Sequence, residues 1–241
     1  MTDQWKSSLW TMNIHGSKNR SLLEGSDARW SPDGSRIAFI NRGEPAGSQI
    51  FVRWMDAEGA VTQLTRLTAS PSGIEWSPDG KWIAFSMLVP ARDDWRIPMP
   101  AAPRGAKWVE PPRVVQKLNY RRDRQGYVED GNTHLFLIAA DGGGTPRQVT
   151  SGAFNHGAPR WMPDGKSILF NGLRTPDADY RWRESEIYSV DVASGDVNQL
   201  TTRKGPDGQP TPSPDGKLIA YTGYDSTSDT WTDSKLYVMN A

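Results

Sequence analysis

The residues of this chain with the strongest claim on chemistry are Tyr120, Arg121 and Arg122. They stand in a run from Arg113 to Tyr127 that carries five basic residues and one acid. Guanidinium forks suit carboxylates and peptide carbonyls, so these three are the candidate substrate-binding residues. The competing reading is a solvated rim loop. Other candidates are weaker. His15, His134 and His156 are isolated, with no chelating spacing, so they read as structural or solvent-exposed and no metal site is expected. Glu184 and Glu186 in Arg183-Glu-Ser-Glu186 are candidates for a cationic ligand, against the reading that they precede a strand and are solvated. Asp141-Gly-Gly-Gly144 has no helix after it to hold a phosphate and reads as a turn. No Gly-x-Ser-x-Gly and no cysteine occur, which removes the nucleophile elbow and thiolate chemistry. No catalytic residue and no cofactor are expected within these residues.

What positions the candidates is a repeat. Four segments align without gaps: Arg29-Trp-Ser-Pro-Asp-Gly-Ser-Arg-Ile-Ala-Phe39, Glu75 to Phe85, Arg160 to Phe170 and Thr211 to Tyr221. Their aspartates Asp33, Asp79, Asp164 and Asp215 lie 46, 85 and 51 residues apart, so one interval holds an insertion. In Pro-Asp-Gly, proline presets φ, aspartate bonds its own backbone and glycine accepts positive φ, which makes a hairpin turn. A second motif alternates with the first: Ser8 to Asn13, Gln49 to Trp54, His134 to Ala139, Glu186 to Asp191 and Lys235 to Asn240. After the middle three copies come Gln63-Leu-Thr65, Gln148-Val-Thr150 and Gln199-Leu-Thr201. Each run is rich in β-branched and aromatic residues and reads as a strand.

Four antiparallel strands per repeat predict an all-β fold, a β-propeller of four-stranded blades. Residues 28–66, 73–150 and 158–201 each supply four strands, residues 8–25 the last two of a blade and residues 210–240 the first three. The expectation is a single partial propeller over residues 1–241, about three complete blades plus two incomplete ones. Such an open arc is expected to self-associate through apolar surface beside Trp10 and Tyr237. Trp30, Trp76 and Trp161 are expected to pack between neighbouring blades. Residues 88–130 break the period, open with six prolines and are expected to form neither regular strand nor helix.

Charge excludes other classes. Lys and Arg together number 28, as do Asp and Glu, which argues against nucleic acid as the partner. No apolar run is long enough for a membrane helix, and the first ten residues show no signal-peptide core.

The repeated Trp-Ser-Pro-Asp-Gly-Lys-x-Ile-Ala-Phe, the Pro-Pro-Arg-Val-Val…Leu-Asn-Tyr-Arg…Gly-Tyr…His-Leu-Phe insertion and the Gly-Gly-Thr-Pro-Arg-Gln-Val-Thr150 turn resemble bacterial members of the prolyl oligopeptidase family. The acylaminoacyl-peptidase-like branch is the nearest. In that family a seven- or eight-bladed propeller caps an α/β-hydrolase domain with a Ser-Asp-His triad and restricts access to short or unstructured peptides. The resemblance therefore implies a non-catalytic gate whose partners are short peptides and the hydrolase domain of a parent chain, a domain these residues lack. No stretch matches the paired-glutamate motif of the family's dipeptidyl peptidases. Tol-system propellers share the Pro-Asp-Gly repeats, so the alternative is a stand-alone protein-binding module. A propeller polysaccharide lyase is a weaker third reading, because those enzymes need clustered histidines or a metal. Bacterial cytoplasm and periplasm both stay open.

Overall fold

The structure is a computed structural model that describes residues 6–56, 59–91, 100–109, 115, 117–229 and 231–241. Nineteen strands are present among the described residues. β1 (Ser8–Thr11) and β2 (Arg20–Glu24) form a two-stranded sheet. β3 (Ser26–Trp30), β4 (Arg36–Gly43), β5 (Gly47–Trp54) and β6 (Val61–Gln63) form a four-stranded one. β7 (Pro71–Trp76) and β8 (Trp82–Pro90) are followed by a small hairpin, β9 (Arg121–Arg122) with β10 (Gly126–Tyr127). The chain then returns as β11 (Gly131–Ala139) and β12 (Arg147–Gln148), completing a sheet of order β12-β11-β8-β7. β13 (Arg160–Trp161), β14 (Ser167–Gly172), β15 (Glu186–Asp191) and β16 (Val197–Gln199) make the third four-stranded sheet. β17 (Asp207–Pro212), β18 (Leu218–Gly223) and β19 (Lys235–Asn240) make a three-stranded one. All pairings are antiparallel and the first strands of successive sheets are neighbours, which is the blade order of a propeller.

Each Pro-Asp-Gly step closes the hairpin between the first two strands of a sheet. The Asp33, Asp79 and Asp215 carboxylates each accept from a serine hydroxyl at 2.6 Å. Those serines, Ser31, Ser77 and Ser213, accept in turn from the backbone N–H of Arg36, Trp82 and Leu218. The glycines hold φ between +67° and +72°, where a side chain would be strained. These hydrogen bonds hold the three carboxyls below the usual carboxylate range. The aspartates are turn formers.

The closing aromatic of each repeat makes the core. Phe39, Phe85, Phe170 and Tyr221 are buried and stack across the sheet on Phe51, Phe136, Tyr188 and Tyr237, with ring centroids 5.5–5.6 Å apart. Ile and Leu from adjacent sheets fill the space between these ladders.

Two expectations need correction. Trp76 and Trp161 are 6% and 5% exposed and pack between blades, but Trp30 is 54% exposed. The indole of Trp76 donates to the Arg29 carbonyl of the preceding sheet at 3.0 Å; among the described residues, no first strand stands beside β1 and β2 for Trp30 to lie against. The insertion is also shorter than residues 88–130, because Leu88–Pro90 continue β8 and pair with Gly131–Thr133. The excursion is 91–130, and it contains the β9–β10 hairpin.

Candidate functional site

Strand parity sorts the chain onto two faces. In every blade the chain turns once through a tight Pro-Asp-Gly hairpin at one end of the sheet. Antiparallel alternation then puts the connection from second to third strand at the other end, together with the crossover into the next blade. Residues 91–130, 173–185 and 224–234 are such second-to-third connections, so the long loops share one face. Hydrogen bonds join them in series. The Leu118 N–H donates to Asp179 at 3.1 Å, and Arg183 donates to the Asp229 carbonyl at 2.5 Å. This is the candidate functional face.

Tyr120, Arg121 and Arg122 lie together on it. Tyr120 and Tyr127 sit 6.3 Å apart across the β9–β10 hairpin, and the Val128 N–H closes the hairpin on the Tyr120 carbonyl. Arg121 and Arg122 are exposed and have no acid partner among the described residues. Tyr180 and Trp182 are exposed on the neighbouring loop, which sequence reasoning passed over. Arg113 and the prolines Pro98, Pro111 and Pro112 lie outside the described residues.

Beneath these loops, each crossover between blades carries a polar node built from the same repeat positions. The matching position of the third strand, near its start, holds Gln49, His134 or Glu186, and it faces Thr65, Thr150 or Thr201. Each threonine hydroxyl accepts the next backbone N–H, from Ile50, Leu135 or Ile187, at 2.9–3.0 Å. Gln63, Gln148 and Gln199 each donate to the carbonyl of that threonine, which explains why Gln-x-Thr recurs. Gln49 also clasps Leu67 through both its N–H and its carbonyl. Glu186 is therefore a crossover latch, half-buried rather than solvated, while Glu184 pairs with Arg181.

The histidines are not isolated in space. His134 and His156 are 4% and 3% exposed, with their Nδ1 atoms 3.2 Å apart and the Thr150 hydroxyl beside both. Arg174 donates to His156 Nε2 at 2.6 Å. That bond forces the His156 proton onto Nδ1, so the nitrogen that faces His134 is not free for a metal. Burial and the Arg174 cation push the His156 pKa down to about 3 and lower that of His134 too.

The third node is ionic. Arg203 bridges Asp207 and Asp225 and lies 3.6 Å over the Tyr237 ring. Asp207 is fully buried, and its Oδ2 has no hydrogen-bond partner. Burial raises the pKa of both Asp207 and Glu186, and each is pushed further up by the other or by Asp225. Asp207→Asn keeps an acceptor for Arg203 and removes a buried charge that Glu186 and Asp225 repel. It is expected to hold or raise stability at neutral pH by up to about 1 kcal/mol, whereas Asp207→Ala lowers it. Urea midpoints of the two variants check this, and a loss in Asp207→Asn equal to that in Asp207→Ala would contradict it.

No protein-family model matches the chain. It is 31% identical over 173 residues to the uncharacterized peptidase YuxL of Bacillus subtilis, spanning 70% of this chain and 24% of that protein. Its fold superposes on the Pyrococcus horikoshii acylaminoacyl peptidase with a TM-score of 0.71 at 17% identity, over 98% of this chain and 34% of that one. TolB from Acinetobacter baumannii superposes with a TM-score of 0.60 at 19% identity, over 97% and 46%. The chain thus shares a propeller fold with peptidases and with TolB, and spans about a quarter of the length of the Bacillus relative.

Proposed function

We propose that this chain is the propeller portion of a serine peptidase of the prolyl oligopeptidase family, gating the access of short peptides to a hydrolase domain of its parent protein. The observation that carries the reading is the asymmetry of the propeller. One face carries the Pro-Asp-Gly turns and other short connections, and the other gathers the long, hydrogen-bonded loops that display Tyr120, Arg121 and Arg122. A gate needs such a face, where exposed aromatics hold peptide side chains and guanidinium groups hold carboxylates or carbonyls. The likeness to YuxL adds weight to the peptidase assignment.

The test is made on the native polypeptide, captured with an antibody to this chain and treated with a fluorophosphonate probe. A labelled serine within Gly-x-Ser-x-Gly on that polypeptide is the expected result. A native polypeptide with no reactive serine overturns the reading and leaves the Tol-like binding module, for which the TolB superposition speaks.

In the parent protein, Arg121→Ala with Arg122→Ala is expected to lower kcat/KM for short peptides about tenfold, the equivalent of one or two charge-assisted hydrogen bonds. Both side chains are exposed, so the melting temperature should stay within about 1 °C. Unchanged kinetics would leave the arginines as rim residues.

Apolar side chains on the first and last sheets, among them Trp10, Leu236 and Val238, are exposed. Light scattering of the 241-residue chain over a concentration series should therefore report association, and a monomer throughout would contradict the expectation.

A further inference from the structure

We propose that His134, His156 and Arg174 form an acid-operated latch at the root of the 91–130 excursion, one that opens as the imidazoles take up protons and frees residues 117–133 from the propeller face. The same repeat position is filled by Gln49 and by Glu186 at the other two crossovers, and neither of those roots an excursion as long. Imidazole stands only at the crossover beneath the longest loop.

The bonds of this node hold the segment where it re-enters the sheet. The His156 N–H donates to the Thr133 carbonyl at 2.9 Å, and the Thr133 N–H donates to Asn155 Oδ1 at 2.9 Å. Thr133 is the third residue of β11, next to His134, and with Gly131 and Asn132 it pairs with the end of β8. Beyond it, Lys117 reaches Gly131 and Asp130, and Leu118 reaches Asp179. These exposed or part-buried bonds depend on the root staying in place.

The neutral node is internally consistent. Arg174 donates to His156 Nε2, and the His156 Nδ1–H points at His134 Nδ1 and the Thr150 hydroxyl. The Gly152 backbone serves as acceptor for the His134 ring. A proton added to His156 lands on Nε2, against the N–H of a guanidinium. A proton added to His134 lands on Nδ1, against the N–H of His156. The first has no acceptor, and the second has only the Thr150 hydroxyl, at 3.5 Å. The groups facing the pair are Arg174 from the loop after β14, Thr150 from the crossover after β12, Phe170 from β14 and Met87, paired with His134, from β8. Of the carboxylates, Glu186 is held by Thr201 and does not reach the rings. The protonated pair must separate to find water.

Hydrogen exchange of the full chain, corrected for intrinsic rates, tests this between about pH 7.5 and about pH 5. Protection in residues 117–135 and 150–157 is expected to fall about tenfold more than in residues 36–54. The double variant His134→Gln, His156→Gln should lose that differential response. Should it fail to fold, Arg174→Met keeps both histidines, relieves the clash on protonation and should at least halve the response. Uniform loss of protection across the chain, no loss at all, or an equal response in wild type and a folded variant would overturn the latch.

Discussion

Between pH 6.5 and pH 4, the folded state should lose on the order of 3 kcal/mol through His156 alone. An unfolded histidine titrates near 6.5, whereas in the fold this one titrates at about 3. Below 6.5 the unfolded chain gains a proton that the folded chain refuses, so stability falls by about 1.4 kcal/mol per pH unit until the folded pKa is reached. His134 is shifted the same way and steepens the slope. The carboxyls of Glu186 and Asp207 act in the opposite sense. Their raised values favour the folded state as acid is added, but only as pH falls through those folded values. The turn aspartates Asp33, Asp79 and Asp215 lose their contribution below the ordinary carboxylate pKa. Between pH 6.5 and about 5 the imidazoles should remove about 2 kcal/mol, less whatever the two raised carboxyls return. Urea midpoints at pH 7, 6 and 5 give the slope, and His156→Gln should flatten it. A slope that the substitution leaves unchanged would show that the pair carries no linked proton.

The blades were legible because their signals are local. Pro-Asp-Gly fixes a turn within three residues, and Ile-Ala-Phe against Leu-Tyr or Ile-Phe fixes the strands that flank it. All nineteen strands but two fall on the repeat, and β9 and β10 lie in the excursion that the broken period marks out. Trp30 shows the limit of such reasoning. Its motif matches that of Trp76, but burial depends on what the preceding sheet supplies, and among the described residues β1 and β2 supply no first strand.

The polar nodes were hidden for a different reason. His134 and His156 are 22 residues apart and show no chelating spacing, so a motif search returns nothing. The usable signal was positional. Gln49, His134 and Glu186 align in the repeat, as do Thr65, Thr150 and Thr201, and aligned polar residues at the start of a buried strand must be paired. Arg174 had no such signal, since loop length varies among the blades. Its role appears only once β14 and the crossover before β13 are side by side.

Arg36→Ala is expected to cost about 2 to 3 kcal/mol and to lower the melting temperature by roughly 5 to 10 °C. The Arg36 guanidinium lies 5.1 Å from the Trp54 ring centroid and 4.8 Å from that of Trp76, joining the first four-stranded sheet to the second. It also donates to the Gly80 carbonyl at 3.1 Å and to the Ala140 carbonyl at 3.5 Å. One side chain thus holds a Pro-Asp-Gly turn, a hairpin end and two indoles. In a solenoid-like array each blade is stabilised by its neighbour, so a contact across the junction counts toward both. Arg36→Lys separates the parts of the effect. An ammonium keeps the charge but lacks the planar fork, so about half the loss should remain. Both substitutions act on the turn face, away from the long loops, and should leave peptide handling by a parent protein unchanged. A loss below about 0.5 kcal/mol in Arg36→Ala would place this side chain among ordinary surface residues and leave the junction to Trp76 and its bond to Arg29.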